Sequence, residues 1–209
     1  MKRALILDLD NTIYPVSSIA EQLFGKLFKL IDENLAEEDK LAAIKAKEEL
    51  TRRPYQHVAD EFGFSEELKA QGMEMLRNCK FEEPMHPYDE YNLLRQIPID
   101  KFLVTTGFTK LQMSKVEMLN IGADFKHVYV VDPEQSSQTK KDVFQKIMKE
   151  NGYTPQEVLV IGDDPESEIK AAIDLGIDTF LFDPLNKYTN QGVTHHARDY
   201  RDVQEIVNK

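Results

Sequence analysis

Short runs of consecutive apolar residues recur along the chain, and a cluster of polar residues follows each run. In the first run, residues 4–9, apolar side chains occupy consecutive rather than alternating positions, which is typical of a strand buried on both faces of a parallel sheet. Four later runs have the same character and predict four more strands: 102–105, 128–131, 158–161 and 179–182.

Helical patterns lie between the later runs, and each ends at an Asn or Gly, the usual stop signal of a helix: residues 111–119, 143–148 and 169–175. Strands that alternate with helices predict an α/β fold, a doubly wound, Rossmann-like parallel sheet with right-handed crossovers. Ligands bind to such a sheet beyond the carboxyl ends of its strands. The polar clusters all lie at that edge, so the candidate chemistry is found there.

Residues 17–78 interrupt the alternation and contain helical patterns only. Ser18 and Glu21 have the spacing of a capping box and predict the start of a helix. The apolar face of this helix would carry five residues: Ile19, Leu23, Leu27, Ile31 and Leu35.

Three further helices are predicted in the same segment. Leu41, Ile44 and Leu50 suggest the inward face of the second helix, while Pro54 and Ser65 are suited to begin the third and the fourth. We expect the fourth helix to fill the small helical core with three side chains: Met73, Met75 and Leu76. The predicted division is an α/β core, residues 1–15 and 85–209, and a small all-helical cap inserted after the first strand, residues 16–84.

Charge and composition narrow the possible functions. The chain has 209 residues with a formal net charge of −11, because 37 Asp and Glu outnumber 26 Lys and Arg. This balance excludes a broad surface for nucleic-acid polymers or for anionic membranes, which clustered cations would have to provide. The single cysteine, Cys79, has no partner for an internal disulfide, and no apolar run has the length of a membrane span or a signal peptide. We therefore expect a cytoplasmic protein.

Two carboxylates stand at the end of the first predicted strand. Side chains alternate in extended backbone, so Asp8 and Asp10 can point into one crevice, where they repel each other unless a cation or a proton separates them. Asp163 adds a third carboxylate from another strand end, and this set of oxygens suits Mg²⁺. Thr105 offers a hydroxyl, and either of two adjacent lysines before the helix at 143–148 offers an ammonium group. Together these groups indicate phosphoryl transfer.

The motifs resemble those of a known family. Asp8-Leu9-Asp10-Asn11-Thr12, Thr105-Thr106-Gly107, Lys140 and Gly162-Asp163-Asp164 are similar, in order and spacing, to motifs one to four of the haloacid dehalogenase-like (HAD) hydrolases. The helical insert resembles the C1-type cap of that family. Residues 10–15, Asp-Asn-Thr-Ile-Tyr-Pro, resemble the branch that contains pyrimidine 5′-nucleotidase-like phosphatases.

The resemblance implies a role for each motif residue. Asp8 would attack phosphorus and become an aspartyl-phosphate, and Asp10 would serve as general acid and then as general base. An acid at the position of Asp10 implies a phosphatase, since dehalogenases and phosphonatases of the family lack it. Mg²⁺ would be held by the Asp8 carboxylate, the Asp10 backbone carbonyl and Asp163. The phosphoryl oxygens would be held by three residues: Thr105, Thr106 and Lys140.

The sequence departs from the family pattern at three points. The usual second acid of motif four is Glu168 here, or else Asp164 takes its place as an outer-shell residue of the metal site. Thr106 replaces the amide that is common in motif two. Lys140 and Lys141 are adjacent, and we favour Lys140 because it lies nearer the loop that reaches the crevice.

The resulting prediction is a Mg²⁺-dependent phosphatase for a small phosphorylated metabolite, either a nucleotide monophosphate or a sugar phosphate. Arg52, Arg53 and His57 of the insert could reach such a substrate, although surface charge is the simpler interpretation. Two alternatives stay open: a receiver-like signalling domain that is phosphorylated on aspartate, and a catalytically silent binding protein of the same fold. The long helical insert argues against a receiver. The sequence carries no signal for the oligomeric state.

Overall fold

The predicted strands form one parallel sheet with helices on both faces. The computed structural model describes residues 1–34, 40–51, 53–189 and 192–209. Within these residues, six strands lie in the order β3-β2-β1-β4-β5-β6, and all pairings are parallel. This confirms the doubly wound α/β fold. The strands are Ala4–Leu7 (β1), Asp100–Thr106 (β2), His127–Val131 (β3), Val158–Gly162 (β4), Asp178–Phe182 (β5) and His195–Ala197 (β6).

Strand β1 lies in the middle of the sheet, hydrogen-bonded to β2 on one edge and to β4 on the other. Its side chains alternate between two hydrophobic clusters, with Leu5 and Leu7 on one face and Ala4 and Ile6 on the other. Burial on both faces explains why the strand is apolar at consecutive positions. The strand order reverses beside β1, so the residues that follow Leu7 emerge at the point where such sheets bind ligands.

Four helices predicted for the insert follow β1: α1 (Ala20–Asn34), α2 (Lys40–Leu50), α3 (Tyr55–Glu61) and α4 (Glu66–Asn78). We refer to residues 16–84 as the helical insert; the division into core and cap stays a prediction. The later helices are α5 (Tyr91–Arg95), α6 (Thr109–Met118), α7 (Lys140–Asn151), α8 (Lys170–Ile173) and α9 (Val203–Asn208). No helix among the described ranges is long and apolar enough to cross a membrane.

Local signals correctly placed two helices of the insert. Helix α3 begins directly after Pro54, and Gly63 beyond its end adopts a left-handed φ of 65°. The Ser65 hydroxyl accepts a hydrogen bond from the Leu68 amide at 3.1 Å and so caps α4. These signals succeed because they depend only on neighbouring residues.

The predicted capping box at the start of the insert is wrong. Val16–Ser18 form a short 3-10 turn, the Ser18 hydroxyl donates to the Pro15 carbonyl at 2.7 Å, and α1 begins at Ala20. Ser18 is the last residue of the 3-10 turn and Ile19 separates it from α1, so it does not stand at the capping position directly before the helix. The predicted apolar face of α1 is confirmed for the residues described, whereas Leu35 lies outside them: Ile19, Leu23, Leu27 and Ile31 are buried.

The predicted inward face of α2 is also wrong in part. Leu41 and Ile44 are 76% and 50% exposed, whereas Ala43 and Ala46 are buried together with Leu50. Small side chains on the inner face allow α2 to approach α1 closely, and the larger ones are left outside. On α4, Leu76 is buried as predicted, Met73 is partly buried, but Met75 is 38% exposed.

Strand β6 has no counterpart in the sequence prediction. It is short and polar, and it pairs with β5 through His195, His196 and Ala197. No apolar run marks it, since one face of an edge strand lies open to solvent. Asp183, which follows β5, accepts hydrogen bonds from the Lys187 and Tyr188 amides and so stabilises the turn after that strand.

Candidate active site

The carboxyl edge of the sheet and the helical insert enclose a cavity of about 800 Å³. It opens beyond the ends of β1, β2 and β4, where parallel strands deliver their following residues to one place. The candidate residues named from the sequence that line it are Asp8, Asp10, Thr105, Thr106, Lys140, Asp163, Asp164 and Glu168.

A buried lysine bridges two carboxylates on the floor of this cavity. Lys140 Nζ donates to Asp8 Oδ1 and to Glu168 Oε2, each at 2.6 Å. Lys140 reaches the floor because it is the first residue of α7, directly after the Thr139 cap. Lys141 points away from the cavity, and its Nζ lies 3.1 Å from the exposed carboxylate of Asp174, at the end of α8. Of the two adjacent lysines, Lys140 is therefore the one in the cavity.

Burial dominates the ionisation of this group. Burial raises the pKa of Asp8 to about 7, since the Lys140 ammonium offsets only part of the cost and the nearby Glu168 and Asp10 charges add to it. Burial alone would lower the pKa of Lys140, but Asp8 and Glu168 hold that pKa above its ordinary value. The lysine therefore stays cationic beside the proposed nucleophile.

Three carboxylates come together where a metal could bind. Oxygen atoms of Asp8, Asp163 and Glu168 lie within 4.8 Å of one another. Burial raises the pKa of Asp163 well above its ordinary value, and the Glu168 and Asp8 charges raise it further. Clustered carboxylate oxygens that are costly to ionise without a counter-charge are suitable ligands for a hard cation such as Mg²⁺. The donor set fits the ion.

Glu168 is placed in this cluster by an irregular turn. Pro165–Ile169 form a turn that is kinked at Ser167, where φ is −108° and ψ is −105°, and the Asp164 amide donates to Glu168 Oε1 at 2.8 Å. Gly162 makes room, since a Cβ on it would lie only 2.2 Å from Glu168 Oε1. The Asp164 carboxylate instead accepts from the Glu166 amide and caps the turn. Glu168, rather than Asp164, thus stands beside Asp8 and Asp163.

Asp10 has a separate set of partners on the wall of the cavity. Lys115 Nζ lies 2.8 Å and 3.1 Å from its two carboxylate oxygens, Gln112 Nε2 donates to Oδ2 at 2.9 Å, and the Tyr14 hydroxyl donates to Oδ1. Burial alone would raise the pKa of Asp10, but Lys115 and the hydrogen bonds from Tyr14 and Gln112 outweigh it and lower the pKa.

Sequence reasoning missed Gln112 and Lys115. Gln112 Nε2 also lies 2.6 Å from Thr105 Oγ1 and 3.1 Å from the Thr106 carbonyl, so one amide links both threonines to Asp10. The sequence did contain a sign of a buried polar group on α6, since Lys115 interrupts the apolar series four positions after Leu111 on the same helical face.

The helical insert supplies the opposite wall. Arg53 and His57 line the cavity, but Arg53 is paired with Glu61 at 2.7 Å and with Glu49 at 3.4 Å. Arg52 lies outside the described residues. The Arg53 charge is therefore already compensated within the insert.

Most of the chain is similar to proteins of one known family. The model of the haloacid dehalogenase-like hydrolase family matches residues 2–176. The chain belongs to the haloacid dehalogenase-like hydrolases. Among solved structures, HAD-hydrolase YfnB from Bacillus subtilis, bound to magnesium, has a TM-score of 0.68 at 21% identity and covers 100% of this chain and 99% of its own. This likeness shows that the HAD fold extends over the full length.

Two curated relatives of this HAD hydrolase are named as phosphatases. Enolase-phosphatase E1 of Aquifex aeolicus is 24% identical in an alignment 198 residues long that covers 85% of this chain and 88% of the relative. Glyceraldehyde 3-phosphate phosphatase of Methanopyrus kandleri is 24% identical in an alignment 200 residues long that covers 86% of this chain and 83% of the relative.

Proposed function

We propose that this HAD hydrolase is a Mg²⁺-dependent phosphatase that hydrolyses a small phosphomonoester through an aspartyl-phosphate on Asp8. One observation carries the proposal: two carboxylates at one strand end have different partners. Asp8 lies in an acidic cluster with Lys140, and Asp10 is bound by Lys115 at the cavity wall. A nucleophile and a separate proton carrier are what two-step phosphoester hydrolysis needs. The phosphatase names of the two curated relatives support the same reaction class.

In the first step, a carboxylate oxygen of Asp8 attacks phosphorus and forms an acyl-phosphate bond. The bond from phosphorus to the ester oxygen breaks, and that oxygen takes the electron pair and the proton of the Asp10 carboxyl group. Asp10 therefore has to enter this step protonated, although Lys115 and the other donors favour its ionised form in the free protein. The alcohol leaves. Thr105, Thr106 and Lys140 hold the phosphoryl oxygens, and Lys140 offsets the charge that develops on them.

In the second step, Asp10 accepts a proton from a water molecule whose oxygen attacks phosphorus. The bond between Asp8 and phosphorus breaks, inorganic phosphate is released, and both carboxyl groups return to their starting forms. Mg²⁺, when bound, offsets the negative charge of Asp8 and of the phosphoryl oxygens. The residues that would hold it are Asp8, Asp163, Glu168 and the backbone carbonyl of Asp10.

We further propose that residues 16–84 act as a C1-type cap on a core formed by residues 1–15 and 85–209, and that the substrate is a nucleotide monophosphate or a sugar phosphate. The insert walls the cavity opposite the carboxylates, where it would exclude water from the first step and contact the leaving group. The motif at residues 10–15 supports the nucleotide. The acidic chain and its single cysteine support a cytoplasmic enzyme without nucleic-acid or membrane partners.

The test is phosphate release by the wild type and by Asp8→Asn across nucleoside monophosphates, sugar phosphates and p-nitrophenyl phosphate, with Mg²⁺ or with EDTA. We expect release that requires Mg²⁺ and is absent in Asp8→Asn. Asp89→Asn, which changes an exposed carboxylate, is the matched control and should behave as the wild type. Full activity of Asp8→Asn would show that Asp8 is not the nucleophile. A wild type that is phosphorylated on Asp8 but releases no phosphate would favour the receiver-like alternative.

A further inference from the structure

Helix α6 buries polar side chains that the two hydrolytic steps do not use. Gln112 and Lys115 are only 2% and 4% exposed, although a buried amide and a buried ammonium are costly unless each finds partners. Both line the cavity, and they are three positions apart on one face of the helix. Two buried polar side chains that line the cavity therefore indicate a function at the site.

Both side chains converge on Asp10. Lys115 contacts the two carboxylate oxygens at 2.8 Å and 3.1 Å, and Gln112 contacts Oδ2 at 2.9 Å. Tyr14 holds Oδ1 from the other side, and its ring centroid lies 5.9 Å from the Lys115 ammonium. Each carboxylate oxygen thus has two donors, which leaves the group one orientation.

The chain reaches this geometry through the turn between β2 and α6. Gly107 has a φ of 145°, a backbone conformation that other residues rarely adopt. A Cβ on Gly107 would lie 3.2 Å from Gln112 Cγ, so glycine also leaves room for the amide. Through Gln112, the same turn links the Thr105 hydroxyl at 2.6 Å to the Asp10 carboxylate.

We propose that Lys115, together with Gln112, is a positioning residue for Asp10, an inference that rests on the proposed phosphatase function. Lys115 acts through Asp10 and not on the substrate: it holds the carboxyl group at the cavity wall, beside Thr105, where a leaving-group oxygen would meet it. Without Lys115 the carboxyl group keeps only Tyr14 and Gln112 as donors and is no longer fixed in this one orientation. Attack by Asp8 remains, and protonation of the leaving group is lost.

The leaving group distinguishes this role from a structural one. We would compare kcat/KM for phenyl phosphate, whose leaving group needs a proton, and p-nitrophenyl phosphate, whose leaving group departs without one. In Lys115→Met we expect a loss of about 100-fold on phenyl phosphate and less than about tenfold on p-nitrophenyl phosphate. Lys115→Arg, which keeps the charge, should recover part of the first loss. Equal losses on the two esters would overturn the inference.

Ser114→Ala is the matched control, because Ser114 is also buried on α6 but its hydroxyl bonds to Phe81 N and the Leu111 carbonyl. Any effect of this variant should be the same for both esters. If thermal denaturation shows that Lys115→Met does not fold, the double variant Asp10→Asn/Lys115→Met is used instead. It removes both charges of the pair and should fold. Relative to Asp10→Asn, the added Lys115→Met should change phenyl phosphate kcat/KM by less than about threefold. Independent, multiplicative losses would overturn the inference.

Failure of this inference is distinguishable from failure of the proposed function. A wild type that releases phosphate from neither ester, with Mg²⁺ present, refutes the phosphatase and this inference with it. A wild type that is active, but whose Lys115→Met variant loses both esters equally, refutes only the role of Lys115.

Discussion

At the scale of single residues, Asp8 and Asp10 differ because their lysines differ. Lys140 divides its charge between Asp8 and Glu168, so burial prevails and the pKa of Asp8 is raised to about 7. Lys115 serves Asp10 alone, with two further donors beside it, and the pKa of Asp10 is lowered despite its burial. Two carboxylates two positions apart therefore ionise differently.

Asp10→Asn should trap the phosphoenzyme. The amide can neither protonate a poor leaving group nor accept a proton from the attacking water, so turnover should fall by about 10²–10⁴-fold. Asp8 can still attack an ester with a good leaving group, and intact-protein mass spectrometry after reaction with p-nitrophenyl phosphate should detect one added phosphoryl group. Asp8→Asn should show none. Wild-type turnover in Asp10→Asn would contradict the two-step assignment.

Gly162→Ala should disturb the acidic cluster directly. The new Cβ would lie 2.2 Å from Glu168 Oε1 and 2.3 Å from its Cγ, and Glu168 is buried. We expect a loss of about 1–3 kcal/mol in the free energy of unfolding by urea, and weaker Mg²⁺ binding by calorimetry.

Gly25→Ala is the control for this substitution. Its Cβ would meet only the end of the flexible Glu21 side chain at 3.3 Å, inside α1. We expect unchanged stability or a gain of up to about 1 kcal/mol, because alanine favours a helix. A Gly162→Ala protein as stable as the wild type would show that Glu168 can move.

The sequence was sufficient to place the motif residues, but not all their partners. Asp8, Asp163 and Lys140 follow from local order, because each stands at a strand end or a helix start that a short pattern identifies. The roles assigned to them stay predictions. Lys115 meets Asp10 only through the rotation of α6 about its axis and its distance from β1, and no local pattern contains either quantity.

At the scale of elements, α2 shows where periodicity fails. The helix is present as predicted, but the face that packs is the one with Ala43 and Ala46, and not the one with Leu41 and Ile44. Periodicity weights large apolar side chains most, whereas packing also rewards small ones that let two helices approach. A sequence in which both occur on different faces is ambiguous until the neighbouring helix is known.

Paired substitutions on α2 test which face packs. Ala46→Leu adds volume at a fully buried position and should cost about 1–3 kcal/mol in urea unfolding. Leu41→Lys changes an exposed position and should alter stability by less than about 0.5 kcal/mol. The reverse order of the two effects would place Leu41 on the inner face.

At the scale of the whole molecule, an exposed ion pair joins the insert to the core. Arg77 at the end of α4 donates to Glu134 with Nε at 2.7 Å and a second nitrogen at 2.6 Å. Glu134 lies in the segment between β3 and α7, the segment that ends at Lys140. The position of the insert is thus linked to the loop that delivers Lys140 to the site.

We expect added salt to weaken the ion pair between Arg77 and Glu134. Added salt screens an exposed pair, so hydrogen exchange of the amides at residues 79–83 in the wild type should become faster at about 1 M NaCl. Arg77→Gln should exchange rapidly at both low and high salt, while global stability falls by no more than about 1 kcal/mol. The control is Arg201→Gln, which breaks the ion pair between Arg201 and Asp199 within one turn. If hydrogen exchange of these amides in the wild type did not change with salt, this would contradict the link between the insert and the loop before α7.

The central position of β1 has a consequence for how the chain acquires its fold. The ribosome makes β1 early, yet the strands that cover its two edges begin only at Asp100 and Val158. A nascent chain that ends before residue 158 therefore carries an apolar strand with an open edge, the kind of template on which chains aggregate. The insert, whose helices are close in sequence, can condense first. The pairing of β1 with β4 can form only after residue 162 has been made, so this edge of β1 stays open while the insert condenses.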